Sequence, residues 1–131
     1  EFASGRATLG ERGAPLQIDA DTHPIGREFG EFYSRPRGYH ANSSTQFTQT
    51  SAQGFMNFPL LDKLQWISPR PLLLIVGEHA HSRFYSEDIY AAASEPKTLQ
   101  VVPGSNHVDL YDRTDVIPFD QLQAFFHDAL Q

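Results

Sequence analysis

The stretch PLLLIVGEHAHSRFYSEDIY, residues 71–90, decides the fold of this chain. Its first part, Leu72 to Val76, is a continuous apolar run bounded by Pro71 and Gly77, which is typical of a strand buried on both faces in a parallel sheet. The polar loop that follows contains one glutamate and two histidines, at Glu78, His79 and His81. An acidic group beside imidazoles at the end of a buried strand is a candidate functional site.

A helix and a second strand are expected after this loop. Ser86 is a suitable N-cap residue, and Glu87 and Asp88 would fall in the first turn, where carboxylates favour the helix dipole. The run KTLQVVP, residues 97–103, predicts another strand, and GSNHVDLYDRTD, residues 104–115, predicts a polar loop. The last helix is expected to begin near Ile117-Pro118, with an apolar face formed by Phe119, Leu122, Phe125, Phe126 and Ala129.

The order of these elements predicts an α/β fold with parallel strands and flanking helices. In such sheets ligands bind beyond the carboxyl ends of the strands. The loop over 78–82 and the loop over 105–112 both follow strands, so we expect them to lie on the same rim.

The first half of the chain carries weaker signals. Residues 1–28 read as a poorly ordered or linking segment, within which Glu1-Phe2 resembles a cloning-site scar and is set aside. Residues 34–51 read as a long connection. A short helix is expected over AQGFMNF, residues 52–58, capped by Thr50 or Ser51, and another over LLDKLQWI, residues 60–67, opened by Pro59.

Composition excludes several classes of function. The formal net charge is −6 and the ten basic residues are scattered, which argues against a nucleic-acid partner. With no cysteine, the chain has no disulfide, thiolate nucleophile or cysteine-based zinc site. The longest apolar run is too short to span a bilayer and no secretory signal is visible, so we expect a cytoplasmic protein without membrane contact.

The second half resembles a known family. ISPRPLLLIVGEHAHSRFYSEDIYAAASEPKTLQVVPGSNHVDLYDR, residues 67–113, resembles the C-terminal part of the α/β-hydrolase fold and is similar to its dienelactone-hydrolase-like and peptidase-like bacterial and fungal subgroup. PRGYHANSSTQFTQTSAQGFMNFPLL, residues 36–61, looks like the segment that precedes the penultimate strand in that subgroup. The resemblance assigns residues 29–131 to the C-terminal part of an α/β-hydrolase domain, with a sheet that this chain leaves incomplete.

The resemblance implies a serine, acid and histidine triad in that chain order. The histidine corresponds to His107, which would take a proton from the serine hydroxyl and pass it to the leaving group. Glu78 is the first choice for the acid, because the position at which many relatives carry aspartate is Ala80 here. Asp88 is the second choice, since a place in the first helical turn would explain it without catalysis. Asp109 is expected to brace the loop.

The nucleophile is expected outside this chain, because G-x-S-x-G occurs nowhere in it. Ser43, Ser44 and Ser51 lack flanking glycines, and Ser82 and Ser105 do not sit on a strand-to-helix elbow. A complete domain of this type has about 250 residues. The resemblance therefore implies a segment of a serine-type hydrolase of small-molecule esters, thioesters or amides, needing no cofactor. It would be inactive without the missing N-terminal half of the fold or a partner chain.

Two other interpretations stay open at this point. His79, His81, His107 and Glu78 could ligate zinc, although a short loop rarely directs two such histidines at one ion, and no metal is expected. A non-catalytic binding module on a hydrolase-like scaffold is the second alternative.

Candidate pocket residues beside the site are His79, His81, Ser82 and Phe84. Five aromatic residues are expected mainly in the core: Phe55, Phe58, Trp66, Phe84 and Tyr85.

Overall fold

A computed structural model of the chain describes residues 3–43 and 45–131. The interpretations that concern Glu1, Phe2 and Ser44 therefore lie outside the described residues. The chain divides into two compact units, Glu1–Pro59 and Leu60–Gln131, and each is described by itself.

The first unit contains a small antiparallel sheet and two helices. Strand β1 (Leu9–Arg12) pairs with β2 (Gln46–Thr48), and Gly13 N–H extends the pairing by donating to the carbonyl of Thr45 at 2.9 Å. Helix α1 (Pro24–Tyr33) begins with a proline, whose fixed φ suits the first helical turn. Helix α2 (Ser51–Met56) ends the unit. Among its described residues, Ala14 and Phe32 are buried apolar side chains.

The second unit is built on a parallel pair of strands. Strand β3 (Leu72–Gly77) and strand β4 (Lys97–Val102) align from the pair Leu72 and Lys97 to the pair Gly77 and Val102. Helix α3 (Arg83–Ala92) connects them and packs on both. The short helix α4 (Asp109–Asp112) and helix α5 (Phe119–Ala129) follow, and a 3-10 turn, Leu64–Trp66, precedes the sheet. The predicted parallel α/β alternation is confirmed.

The core of the second unit lies where β3, β4 and their loops meet. Val76 and Val102 are buried at the ends of the strands, and Ala80 and Val108 are buried in the loops that follow them. The burial of both loops beside the strand ends fixes the backbone from which the polar side chains project.

Three predicted elements of the second unit differ in the structure. Helix α3 begins at Arg83, one turn before the predicted start, so Glu87 and Asp88 lie outside its first turn. Only the 3-10 turn forms within residues 60–67, where a longer helix was expected. The predicted polar loop after β4 contains α4, whose start is stabilised by a bond from Asn106 N–H to the Asp109 carboxylate at 2.8 Å.

The first unit is also more regular than the sequence predicts. Strand β1 and the first part of α1 fall within residues 1–28, and β2 falls in the segment read as a connection. The prediction of a helix after Thr50 is confirmed by α2, although the Thr50 side chain makes no capping bond.

Aromatic side chains are more exposed than predicted. Phe55, Phe58 and Trp66 are each about two-thirds exposed, and Phe84 and Tyr85 are at least half exposed, so their expected place in the core is wrong for this chain. Within each described unit the sheet has two strands, which is too few to bury so many rings. Among the described residues, the helices lack the combination of length and apolar character that crossing a bilayer requires.

Candidate active site

The two loops that follow β3 and β4 meet at one edge of the parallel pair, as predicted. Glu78 N–H donates to the carbonyl of Val102 and His79 N–H donates to the carbonyl of Ser105, both at 2.9 Å. The side chain of Glu78 adds a third link, because its Oε2 accepts from Gly104 N–H at 2.8 Å. Together these bonds tie the β3 loop to the backbone that leads into His107.

Gly77 makes this close approach of the loops possible. A Cβ at position 77 would lie 2.5 Å from the carbonyl oxygen of Ser105 and 2.7 Å from that of Asn106. Any side chain would overlap the backbone there. Packing therefore explains why a glycine ends β3: without a side chain at position 77, the loop after β4 can pass directly over this strand.

His107 is half-buried and both of its ring nitrogens have hydroxyl partners. Nδ1 lies 2.7 Å from Ser82 Oγ, and Nε2 lies 2.7 Å from the hydroxyl of Tyr111. The His81 ring stacks beside it, with ring centroids 4.7 Å apart and the planes tilted by 39°. The imidazole is therefore fixed in position and orientation, as a proton-transfer group requires.

Neither of the two proposed acids bonds to His107 within the described residues. The Glu78 carboxylate, whose side chain is 45% exposed, is engaged by Gly104 N–H and lies 3.9 Å from His79 Nε2. Asp88 is exposed on α3, outside the first helical turn. The assignment of Glu78 as the triad acid stays a prediction, and its observed contact is to the turn that carries His107.

Asp109 holds the loop on the other side of His107. It is 7% exposed, and its Oδ2 accepts from the backbone N–H of Asn106 at 2.8 Å and from the Asn106 side chain at 3.3 Å. Its Oδ1 lies 3.8 Å from a guanidinium nitrogen of Arg113. These contacts give Asp109 the bracing geometry that the sequence predicts.

Three of the serines considered as nucleophiles are Ser105, Ser51 and Ser82. Ser105 is 1% exposed and its hydroxyl lies 3.5 Å from the carbonyl of Pro103. Ser51 bonds Thr48 in the first unit at 2.9 Å between the two hydroxyl oxygens. The Ser82 hydroxyl reaches His107 Nδ1 at 2.7 Å. Ser82 precedes α3 as its N-cap residue, so it is not on the strand-to-helix elbow from which hydrolases of this fold present the nucleophile.

A cleft of about 270 Å³ opens beside the imidazole. Val76, Ala80, Ser82, His107 and Tyr111 are among its lining residues. Of the four candidate pocket residues, only Ser82 lines it within the part of the chain that the structure describes. His81 instead stacks on His107, the His79 side chain is 61% exposed next to Glu78, and the Phe84 ring packs on Tyr85.

The alternative of a zinc site finds no geometric support. Across residues 3–43 and 45–131, no group of three or more histidine, aspartate or glutamate side chains is arranged to hold a metal ion. His79 and His81 point to different partners, one to Glu78 and the other to the His107 ring.

Two carboxyl groups with shifted pKa values lie away from this cleft. Hydrogen bonds from the Arg113 side chain lower the pKa of Asp115 below its ordinary value of 3.8. The Thr22 hydroxyl does the same for the pKa of Asp19. Because both pKa values are lowered on folding, their contribution to stability is present at neutral pH and is lost as the pH falls through the folded values. Both groups are exposed, so the contribution is small.

Sequence reasoning missed Tyr111 and gave Ser82 a lesser role. Tyr111 stands in the short helix α4, four residues after His107, and this closeness in sequence is a signal that could have identified it. The bond between Ser82 and His107 joins residues 25 positions apart, and only the pairing of β3 with β4 creates it.

Comparisons with known proteins connect this arrangement to a fold. No protein-family model matches the chain. The uncharacterized protein PA2218 of Pseudomonas aeruginosa is 54% identical over 106 residues, which are 79% of this chain and 29% of that protein. The uncharacterized protein YcjY of Escherichia coli is 27% identical over an alignment that covers 99% of this chain and 43% of that protein.

Two solved structures are similar over almost the whole chain. The crystal structure of the hypothetical protein PA2218 matches 98% of this chain and 40% of its own with a TM-score of 0.86 and 44% identity. The crystal structure of the α/β hydrolase GrgF from Penicillium sp. sh18 matches 99% of this chain and 45% of its own, with a TM-score of 0.68 and 16% identity. The chain thus spans less than half the length of each of these relatives.

These similarities show the fold. The chemistry has to be argued from the geometry of the site. At 16% identity the likeness to GrgF concerns the fold alone, which is a mixed α/β arrangement like part of an α/β hydrolase.

Proposed function

We propose that this chain is the C-terminal segment of a serine-type α/β hydrolase, of the dienelactone-hydrolase-like or peptidase-like subgroup, and that it supplies His107 as the general base. The observation that carries the proposal is the place of the imidazole. It is half-buried at the carboxyl edge of a parallel strand pair, beside a cleft, with its Nδ1 engaged by the Ser82 hydroxyl.

The reaction is acyl transfer through a covalent intermediate. A serine hydroxyl outside this chain would give its proton to His107 Nε2 as its oxygen bonds to the carbonyl carbon of an ester, thioester or amide. The imidazolium would then return the proton to the leaving group, and water would release the acid by the same steps. The chain uses no cofactor in this scheme.

Glu78 supplies the negative charge of the site in this proposal. Its carboxylate is one residue past β3 and holds the Gly104 turn, through which it acts on the position of His107. A carboxylate that accepts a backbone N–H makes a charge-assisted bond, which is stronger than the bond of a neutral acceptor. The acid role expected from the sequence would require the carboxylate to turn toward the ring when the rest of the fold is present.

The partner of this chain is the remainder of the hydrolase fold. The chain covers 40% of the similar PA2218 structure, and large apolar side chains of the described second unit are exposed, including Leu60, Trp66, Phe119 and Leu130. A polypeptide that adds strands and covers these side chains would complete the sheet and bring the nucleophile.

The test compares turnover of the complete polypeptide carrying His107→Ala with the unmodified protein, on p-nitrophenyl butyrate and on a thioester and an amide analogue. We expect kcat/KM to fall at least about a hundredfold, the range of general-base catalysis, with the melting temperature retained. His127→Ala, at an exposed position on α5, is the matched control and should keep full turnover. Unchanged turnover in His107→Ala would remove His107 from the mechanism, and His107→Gln serves if the alanine variant does not fold.

A non-catalytic binding module is the second candidate. The hydroxyl of Tyr111 lies 2.7 Å from Nε2, where a nucleophile would have to bond, and this contact favours it. A complete polypeptide that turns over none of the three substrate classes would support this candidate.

A further inference from the structure

The Nδ1 side of His107 faces the neutral hydroxyl of Ser82. Ser82 Oγ lies 2.7 Å from Nδ1, the position that the acid occupies in a serine, histidine and acid triad. Glu78, the first acid proposed from the sequence, is instead bonded to Gly104 N–H. The Ser82 hydroxyl therefore occupies the hydrogen-bonding position at Nδ1, and the partner at this position determines which nitrogen of the imidazole is protonated.

The local structure of Ser82 explains why its hydroxyl is available. Ser82 is the N-cap residue of α3, where a serine side chain usually accepts from the backbone of the first turn. Here the side chain makes no capping bond, although the Ser82 carbonyl accepts from Tyr85 N–H, three residues later, at 3.1 Å. The hydroxyl is directed to the imidazole at the expense of the cap.

The backbone on both sides of Ser82 is held in place. Ala80, two residues earlier, is 7% exposed and accepts from Arg83 N–H at 3.0 Å. The β3 loop is bonded to the backbone before His107 through His79 N–H and the Ser105 carbonyl. The Ser82 oxygen and the imidazole are therefore positioned by one connected set of backbone bonds, which favours a fixed distance between them.

We propose that Ser82 is the positioning residue of His107, holding the tautomer in which Nδ1 carries the proton. In this tautomer Nδ1–H donates to Ser82 Oγ, and Nε2 keeps its lone pair and accepts from a hydroxyl. Tyr111, whose hydroxyl lies 2.7 Å from Nε2, marks the direction from which such a hydroxyl approaches. The inference rests on the proposed function, because a general base needs an Nε2 that carries no proton.

The role of Ser82 is distinct from that of a triad carboxylate. A neutral hydroxyl fixes the orientation of the ring but supplies no negative charge to the imidazolium that forms during the reaction. Ser82 lies in the loop that follows β3. Its bond to His107 therefore connects the imidazole to the end of that strand. The charge of the site then comes from Glu78, one residue past that strand.

The experiment reads the tautomer directly. In the complete protein labelled with ¹⁵N-histidine, long-range proton–nitrogen correlation NMR shows which ring nitrogen of neutral His107 is protonated, with the signal assigned by its loss in His107→Gln. We expect the proton on Nδ1 in the unmodified protein and in Ser82→Thr, which keeps the hydroxyl. In Ser82→Ala a substantial fraction should move to Nε2. Ser94→Ala, at an exposed position beyond α3, is the matched control and should change nothing.

Kinetics provide the second readout. Ser82→Ala should lower kcat about tenfold with KM nearly unchanged, since one ordinary hydrogen bond corresponds to about that factor, and Ser82→Thr should restore most of the loss. A proton on Nε2 in the unmodified protein, or an unchanged tautomer in Ser82→Ala, would overturn the inference. Because the tautomer is measured in the resting protein, this result is independent of whether His107→Ala abolishes turnover.

Discussion

Replacing Gly77 with alanine tests whether the contact between the two loops sets the position of the imidazole. The new Cβ would lie 2.5 Å from the Ser105 carbonyl oxygen, and real Cβ contacts under 3.0 Å are essentially never found. The loop would therefore have to retreat by at least about half an ångström. It cannot do so freely, because that same carbonyl accepts from His79 N–H at 2.9 Å.

Two magnitudes follow from this displacement. Overpacking of a well-packed backbone costs about 1–3 kcal/mol. Each kcal/mol lowers the melting temperature by about 2–4 °C in a protein of 150–250 residues and by less in a larger one, so a fall of a few degrees is expected. Misplacement of a catalytic group by about 1 Å costs about a hundredfold in rate, so a shift of half that size should lower kcat/KM by about tenfold.

The assay measures both quantities in the complete protein. Scanning calorimetry gives the melting temperature, and hydrolysis of p-nitrophenyl butyrate gives kcat/KM. Gly54→Ala is the matched control, because a Cβ there meets nothing within 4 Å and an alanine inside α2 should stabilise the helix by about 0.5–1 kcal/mol. If Gly77→Ala keeps wild-type kcat/KM, the link between this glycine and His107 is refuted, even if the melting temperature falls.

Three further predictions concern the loops and the completeness of the fold. Asp109→Ala should lower stability by about 1–3 kcal/mol in chemical denaturation, because Asn106 N–H loses its acceptor, and an unchanged midpoint would refute the bracing role. Glu78→Gln should slow the acylation burst more than Asp88→Asn, since Glu78 holds the Gly104 turn and Asp88 is exposed, and the reverse order would move the acid to α3. The isolated 131-residue chain should show a broad thermal transition by circular dichroism, since two-stranded sheets are marginal alone, and a sharp cooperative melt from a monomer would contradict this.

The sequence predicts the elements that depend on local patterns. The apolar run from Leu72 to Val76 and its Pro and Gly borders locate β3, and the run before Pro103 locates β4. Once both are taken as parallel, topology alone brings their loops to one edge, as the bond between Glu78 and Gly104 confirms.

The rest depends on contacts between distant residues. Strand β1, with the sequence LGER, has no alternating apolar pattern, and its pairing with β2 comes from backbone bonds across more than 30 positions. The start of α3 was predicted at Ser86 because two acidic residues follow it, but a turn beginning at Ala80 starts the helix earlier. The partners of the His107 ring nitrogens follow from side-chain packing, which no spacing rule fixes for Ser82.

The most direct measurement for the proposed general base is fluorophosphonate labelling of the complete protein, with the labelled residue identified by mass spectrometry and the labelling rate compared with that of His107→Ala. We expect label on a serine outside this chain, at a rate that falls at least about a hundredfold in the variant. Label on a serine within residues 1–131, or an equal rate in the variant, would contradict it.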